Sequence, residues 1–186
     1  MPTSLKILKK KYSNCKQCPE LVKNRSSVVF GSKHMNACKV LIIGEAPGKK
    51  EDESEIPFVG RSGEILNGFL KEIGLTREDV FITNTILCRP PGNRNPKVLE
   101  LKNCKTRLNE GIKLVNPEVV ITLGNFSTQY LLETKEGITK LRGKIYEKEG
   151  YKILPMLHPA NLLYNGMSEK LIKQFRSDFK KVKKLI

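Results

Sequence analysis

Four short apolar runs alternate with helical patterns along the chain. Residues 40–43, 80–83, 118–123 and 152–157 are apolar, with little regular alternation, which is typical of parallel strands buried on both faces. Residues 62–73, 98–114 and 168–186 have the periodicity of helices, and residues 127–132 begin another. Strands that alternate with helices predict an α/β fold with a mostly parallel sheet and helices on both of its faces.

Two helices have a continuous apolar face, and the segments between elements are polar. Ser168 is a plausible N-cap for the last helix. The N-terminal segment is polar and is expected to be irregular, residues 85–96 form a proline-rich loop, and residues 137–150 form a basic loop punctuated by glycine. The two apolar faces consist of Ile65, Leu66, Phe69, Leu70 and Ile73 in the first helix and Leu171, Ile172, Phe175, Phe179 and Val182 in the last.

Chemically useful residues stand just past the carboxyl ends of the predicted strands. Glu45 lies in a Gly-Glu-Ala-Pro-Gly turn after the first strand, Asn84 follows the second, Gly124 the third and His158 the fourth. Open α/β sheets bind ligands at this edge. Each residue alone has a simple structural explanation, and the first turn alone is compatible with an ordinary strand–loop–helix crossover. Their shared position predicts one pocket.

Composition limits the class of protein. The 186 residues suit a single domain, and 34 Lys and Arg against 19 Asp and Glu give a formal charge of +15. That excess favours a polyanionic partner, although a lysine-rich surface that serves solubility or heat tolerance is the alternative. Residues 1–12 are basic but lack the apolar core of a signal peptide, and no run is long enough to span a membrane. We therefore expect a cytosolic protein with reduced cysteines.

Four of the five cysteines form a candidate metal site. Cys15 and Cys18 make a Cys-x-x-Cys pair without the preceding strand of a thioredoxin-like redox unit, and Cys88 and Cys104 are more distant in sequence. Four thiolates suit tetrahedral zinc or a [4Fe–4S] cluster, and the spacing alone favours zinc. Either would tie the N-terminal segment to the loop and helix after the second strand. Cys38 is expected to be a small buried thiol.

These motifs, in this order, resemble those of the family 4 uracil-DNA glycosylases, the iron–sulfur uracil-DNA glycosylases of bacteria and archaea. The resemblance covers nearly the whole chain and is carried by the cysteines, Thr83-Asn-Thr85, His158-Pro-Ala160 and three longer segments, residues 44–52, 58–63 and 88–94. It implies a three-layer α/β/α sandwich with a four-stranded sheet. It also implies a [4Fe–4S] cluster in place of zinc, and hydrolysis of the N-glycosidic bond of uracil flipped out of DNA, which leaves an abasic site for base excision repair.

The resemblance assigns base recognition to three side chains. Phe58 would lie flat against the uracil ring, and the Asn84 amide would donate to O4 and accept from N3–H. Cytosine presents the opposite pattern, so an amide held in one orientation would reject it. His158 would stabilise the negative charge that develops on O2 as the bond breaks.

Two acidic residues and a second amide complete this scheme. Glu45 would orient the attacking water or stabilise the sugar cation, while its backbone and that of Ala46 bind the base. Asn93 is a second candidate for positioning the water. Glu51 is the candidate for the wall beside C5, where thymine carries its methyl group.

DNA contacts are expected from basic positions and from an apolar wedge. Leu162 or Leu163 would fill the gap left by the flipped base, and Tyr164 stands where family members often have arginine. The predicted phosphate contacts are Arg61, Ser62, Arg94, Lys140, Arg142 and Lys144.

Two other functions remain open from the residues. One is a metal-stabilised nucleic-acid-binding module without catalysis. The other is a zinc nucleotide hydrolase that uses residues 44–48 as a phosphate cradle. These residues lack the Lys-Ser pair of a P-loop, which argues against this alternative. The glycosylase is expected to act as a monomer on single- or double-stranded DNA, in the cytoplasm at the nucleoid. We find no convincing sliding-clamp motif at either terminus.

Overall fold

A mostly parallel sheet forms the centre of the computed structural model, which describes residues 4–33, 38–148 and 150–186. Within this part of the chain the strand order is β2-β1-β3-β5-β4, and only β4 is antiparallel to its neighbour. The strands are β1 (Val40–Gly44), β2 (Val80–Asn84), β3 (Val119–Leu123), β4 (Tyr146–Lys148) and β5 (Tyr151–Met156).

The fifth strand corrects the predicted four-stranded sheet. β4 lies within residues 137–150, which the glycine and lysine content marked as a loop, and it pairs with β5 at the sheet edge. Three partly exposed residues make no apolar run, so the sequence pattern lacked a strand signal there.

Helices cover both faces of the sheet. The described helices are α1 (Leu5–Tyr12), α2 (Pro19–Asn24), α3 (Lys49–Ser54), α4 (Arg61–Glu72), α5 (Val98–Val115), α6 (Asn125–Leu132), α7 (Ile138–Leu141), α8 (Ala160–Tyr164) and α9 (Glu169–Val182). The Ser168 hydroxyl accepts a hydrogen bond from the Leu171 N–H at 3.4 Å, so the predicted N-cap of α9 is confirmed.

Successive residues of β1 point to two separate cores, which confirms the predicted layers. Val40 and Ile42 pack in the core that contains the apolar faces of α4 and α9. Leu41 and Ile43 face the opposite side, in the core that contains residues of α1, α5 and α6. Because both faces are buried, the strand needs apolar side chains at every position.

The N-terminal segment is more regular than predicted. Leu5 and Leu8 are buried, α1 packs on α5, and the Lys11 ammonium lies 2.8 Å from the Glu110 carboxylate. This long-range packing stabilises a helix of eight residues, which is too short to be stable in isolation. Residues 1–3 of the basic N-terminus and residue 149 of the basic loop lie outside the described residues, as do residues 34–37.

None of the described helices combines the length and the hydrophobicity needed to cross a bilayer.

Candidate active site

A cleft of about 590 Å³ opens at the carboxyl ends of β1, β2 and β5, within the size range of ligand pockets. Glu45, Asn84 and His158 all line this cleft. Gly124 packs directly against His158, because a Cβ at position 124 would lie only 3.3 Å from the Cβ of His158. Of the predicted site residues, the structure brings the following to this cleft: Glu45, Ala46, Glu51, Phe58, Arg61, Ser62, Asn84, Asn93, Arg94 and His158.

Asn84 ends β2 with its side chain buried against the neighbouring strand. It is 1% exposed and pairs in register with Gly44 of β1. A Cβ on Gly44 would lie 2.4 Å from Asn84 Oδ1 and 2.6 Å from the Phe58 ring, so glycine is required for this approach. Within the described part of the chain Asn84 Oδ1 accepts no hydrogen bond. A buried, unpaired acceptor on a cleft wall is poised for a donor from a ligand.

Arg107 fixes the backbone that carries Asn84, and sequence reasoning missed it. Its buried guanidinium donates from Nη2 to the carbonyls of Asn84 and Thr85, both at 2.9 Å. Burial lowers the pKa of Arg107, and the neighbouring Cys104 thiol opposes this shift. No local pattern distinguishes this arginine from the other basic residues of α5.

Phe58 forms an aromatic wall beside His158, with ring centroids 5.6 Å apart. Its φ of 54° lies in the left-handed region, which is uncommon for a non-glycine residue. Arg77, also missed, stabilises this turn by donating to the carbonyls of Pro57 at 2.6 Å and Phe58 at 2.9 Å. Gly63 is required as well, because a Cβ there would lie 1.8 Å from the Phe58 carbonyl oxygen.

His158 is held as a neutral ring with a defined tautomer. Its Nδ1 accepts the Ala160 N–H at 3.2 Å, which leaves the proton of the neutral ring on Nε2. Burial lowers the pKa of His158 from 6.5 to about 4, and the charge of Glu51 opposes this shift. At neutral pH the ring is therefore a hydrogen-bond donor without a net charge.

The pKa of His158 is about 4 in the folded protein and 6.5 for a solvent-exposed histidine, as in the unfolded chain. This residue should therefore make the free energy of unfolding depend on pH. Between these values the unfolded chain binds a proton that the folded protein does not, so acidification through the window lowers the free energy of unfolding. We expect His158→Gln to give a shallower fall from pH 6.5 to 4. The measurement is denaturant unfolding of both proteins across this range, and parallel curves would contradict the assigned pKa.

Two carboxylates line the cleft in different surroundings. Burial raises the pKa of Glu45, whose backbone carbonyl accepts hydrogen bonds from the Thr85 hydroxyl and the Ile86 N–H. Glu51 Oε1 instead accepts the N–H groups of Val59 at 2.9 Å and Gly60 at 2.8 Å, directly after Phe58. Glu51 therefore braces the aromatic turn, whereas the Glu45 backbone is fixed at the end of β1 by residues that follow β2.

The loop after β2 brings Asn93 and Arg94 to the cleft with their side chains already paired. Asn93 Oδ1 accepts from Arg89 Nε at 2.7 Å. The Arg94 guanidinium lies 2.7 Å from a Glu100 oxygen and 3.2 Å from a Glu20 oxygen. These two carboxylates compensate its charge, which argues against Arg94 as a free phosphate contact.

The remaining predicted DNA contacts do not line the cleft. Lys140 and Lys144 are exposed. Arg142 lies 2.6 Å from the Asp178 carboxylate and also donates to the Gln174 carbonyl, which argues against it as a free phosphate contact. Leu162 is fully buried in the core with α9, so it is wrong as a wedge. Leu163 is half-buried.

The four cysteines lie in three separate segments of the chain. Cys15 and Cys18 precede α2, Cys88 follows β2 and Cys104 lies in α5; all four are free thiols. Burial raises the pKa of Cys88 to about 11, and Cys15 and Cys104 contribute to this shift, so these thiols share one neighbourhood. Among the described residues, no three His, Cys, Asp or Glu side chains are grouped so that they could hold a metal ion.

The hydrogen-bond donors around the thiols fit a cofactor that is bound through sulfur. Arg25 Nη1 donates to Cys88 Sγ at 2.9 Å, and Asn103 Nδ2 donates to Cys18 Sγ at 3.3 Å. Such N–H···S bonds stabilise thiolate ligands of iron–sulfur clusters. Arg25 also donates to the Cys15 carbonyl at 2.7 Å, so one guanidinium joins the N-terminal pair to the loop after β2.

The α/β sheet carries at its carboxyl edge a cleft walled by an amide, an aromatic ring and a neutral imidazole, an arrangement that suits a planar ligand with hydrogen-bonding groups. The family model that matches residues 32–180 is described as the uracil DNA glycosylase superfamily. The chain therefore belongs to this superfamily, and within it to the type-4 uracil-DNA glycosylases.

Three relatives support the narrower assignment, and each is named a type-4 uracil-DNA glycosylase. The protein from Saccharolobus solfataricus is 42% identical over 98% of this chain and 87% of its own length. Those from Sulfurisphaera tokodaii and Thermotoga maritima are 40% and 37% identical, again over 98% of this chain, and over 84% and 94% of their own lengths.

Proposed function

We propose that the protein removes uracil from DNA by hydrolysing its N-glycosidic bond, which leaves an abasic site for base excision repair. The observation that carries this function is the buried Asn84 Oδ1, which has no hydrogen-bond partner among the residues that the structure describes, in a cleft shared with Phe58 and His158. Membership in the uracil-DNA glycosylases supports the same conclusion.

Base recognition follows from the hydrogen-bonding pattern of the amide. Asn84 Oδ1 accepts uracil N3–H, and its amide nitrogen donates to O4, while Phe58 packs on the ring. Cytosine would set its N4 donor against the amide N–H and its bare N3 against the amide oxygen. A site built to pair with one base leaves buried groups unpaired with the other, which is the strongest form of discrimination.

Bond cleavage places negative charge on uracil O2 and positive charge on the sugar. His158 donates from Nε2 to O2, a role for which its neutral tautomer is suited. Glu45 orients the attacking water or stabilises the cation, and burial, which raises the pKa of its carboxyl group, favours a role as a base. Asn93 is a second water-positioning candidate, because it lines the cleft on the loop after β2.

Three further positions complete the base pocket. The backbone of Glu45 and Ala46 binds the base beside the end of β1. Glu51 forms the wall near C5, where its bonds to the Val59 and Gly60 N–H groups support a rigid boundary against the thymine methyl group.

DNA binding rests on the excess positive charge and on groups at the cleft rim. Arg61 and Ser62 begin α4 at the rim, and exposed Lys140 and Lys144 lie further away. Residues of one chain build the cleft, which supports action as a monomer. We propose a cytoplasmic enzyme that acts at the nucleoid, and its free cysteines support a reducing compartment.

Cys15, Cys18, Cys88 and Cys104 would hold a [4Fe–4S] cluster. When bound, this group would supply a structural crosslink, because four cysteine ligands leave no coordination position for a substrate. It would join the segment before α2 to the Cys88 loop and to α5. Arg107 in α5 contacts the Asn84 carbonyl, so this crosslink would lie next to the base-reading residue.

The cluster can be tested with a matched cysteine control. We expect the purified protein to be brown and to contain about four iron and four sulfide per chain. Cys104→Ser should lose the colour and most of the iron, whereas Cys38→Ser should retain both, because Cys38 is outside the ligand set. Metal analysis and visible absorbance provide the measurement. Zinc without iron, or equal iron loss in both variants, would contradict the proposed group.

The function is tested by uracil release from a labelled oligonucleotide. The protein is incubated with uracil in single-stranded DNA, in a U·G duplex and in a U·A duplex, and with a matched oligonucleotide that carries thymine instead. Alkali then cleaves the DNA at any abasic site. We expect strand breaks at uracil alone. Salt-dependent binding without abasic products would instead favour the non-catalytic nucleic-acid-binding module.

A further inference from the structure

α8 follows the His158-Pro159 dipeptide, and its helical phase determines which side chains face the cleft. Ala160, Asn161 and Tyr164 line the cleft. Leu162 points the opposite way and is fully buried. Residues three and four positions apart share a helix face, so Tyr164 lies on the same face as Ala160 and Asn161, whereas Leu162, two positions earlier, does not. The two leucines were the obvious wedge candidates from sequence, but the helix presents the tyrosine.

Tyr164 is an exposed aromatic side chain on a well-supported turn. It is 86% exposed, more than any of the other large apolar side chains among the described residues. The turn after it is closed by two hydrogen bonds, from Asn165 Nδ2 to the Asn161 carbonyl and from the Met167 N–H to the Leu162 carbonyl, both 2.8 Å long. Buried Leu162 anchors the helix beneath it.

We propose that Tyr164 enters the gap that the flipped nucleotide leaves in the DNA stack and stacks on the flanking base. This inference rests on the proposed function and adds to it the residue that holds the extruded state open. Flipping costs stacking and pairing energy, and a side chain that enters the stack recovers part of it. An aromatic ring suits any neighbouring base because every base has a π-face, so this contact would be tolerant of sequence.

The stacking role predicts different effects on two kinds of substrate. In a duplex, Tyr164→Ala should slow uracil release by about 10- to 100-fold, the range expected for the loss of one base–aromatic stack. In single-stranded DNA the effect should be several-fold smaller, since no complementary strand competes for the base. Tyr164→Phe keeps the ring and should retain duplex activity within about threefold. Ile7→Ala, an exposed apolar residue of α1 outside the cleft, is the matched control.

A second readout does not depend on catalysis. A duplex that carries a tetrahydrofuran abasic analogue next to 2-aminopurine already contains the gap, and a ring that stacks on 2-aminopurine quenches its fluorescence. At saturating protein we expect quenching by the wild type, Tyr164→Phe and Ile7→Ala, and little quenching by Tyr164→Ala. Thermal unfolding verifies that the variants are folded, which the exposure of Tyr164 leads us to expect.

The two measurements separate this inference from the proposed function. If the wild-type protein releases no uracil, the proposed function fails, and the fluorescence experiment still decides whether Tyr164 enters the gap. Duplex activity of Tyr164→Ala within about threefold of an active wild type would overturn the stacking role. Undiminished quenching by this variant would overturn it as well, even if its activity were lower.

Discussion

Replacement of Asn84 by alanine is expected to lower kcat/KM for uracil release by about 10²- to 10⁴-fold. The variant loses two hydrogen bonds to the base, and N3–H and O4 of uracil are then buried without partners, at about 1–3 kcal/mol each. Arg107 holds the carbonyl of residue 84 through the backbone, so the variant should keep the position of this strand end and lose only the amide. The measurement is single-turnover release from a uracil oligonucleotide.

Specificity provides a second readout for the same variant. The ratio of uracil to cytosine cleavage should also fall, because the amide that opposes cytosine is gone. Asn161→Ala is the matched control: this amide lines the same cleft on α8 but has no assigned contact with the base. Equal losses in the two variants would show that Asn84 does not read the base.

Replacement of His158 by alanine is expected to reduce kcat by about 10²- to 10³-fold, the usual cost of removing one donor to a developing oxyanion. KM should change little, because charge on O2 develops only as the bond breaks. Single-turnover and steady-state kinetics on a U·G duplex separate the two constants. Preserved kcat in a folded variant would remove His158 from the mechanism.

The pH profile distinguishes the donor role of His158 from that of a charged acid. Since the pKa of His158 is about 4, the wild-type rate should show no loss attributable to this ring as pH rises from 5 to 8. A protonated catalytic histidine would instead lose activity across that interval. If the wild type lost activity over this interval and His158→Gln did not, the loss would be due to His158. That result would contradict the neutral tautomer that the Ala160 N–H supports.

Strands and their ends could be predicted because the signals are local. Val40 to Gly44 is apolar because both faces of a parallel central strand are buried, so the run is visible without knowledge of its neighbours. Parallel strands end at one edge, and topology alone therefore brings Glu45, Asn84 and His158 to a common cleft. The short edge strand β4 and the helix α1 escaped prediction because their stability comes from pairing with β5 and packing on α5.

The supports of the site could not be predicted, since they are long-range contacts from residues with no distinctive motif. Arg77 acts on a turn 19 and 20 positions earlier in the chain, and Arg107 acts on a strand end 22 and 23 positions earlier. Asp52, in the acidic run after β1, is likewise buried and accepts the N–H groups of Ser26 and Ser27. A charged side chain has the same sequence signature whether it is solvated or buried in a network.

By itself, the sequence determined the α/β class, the edge of the sheet that carries the cleft and several of the side chains that meet there, because burial and strand direction are encoded residue by residue. Only the tertiary structure decided which of these side chains are available. It paired Arg94 and Arg142 with carboxylates, buried Leu162 and exposed Tyr164. The physical reason is that availability depends on what packs against a residue, and the packing partners come from distant parts of the chain.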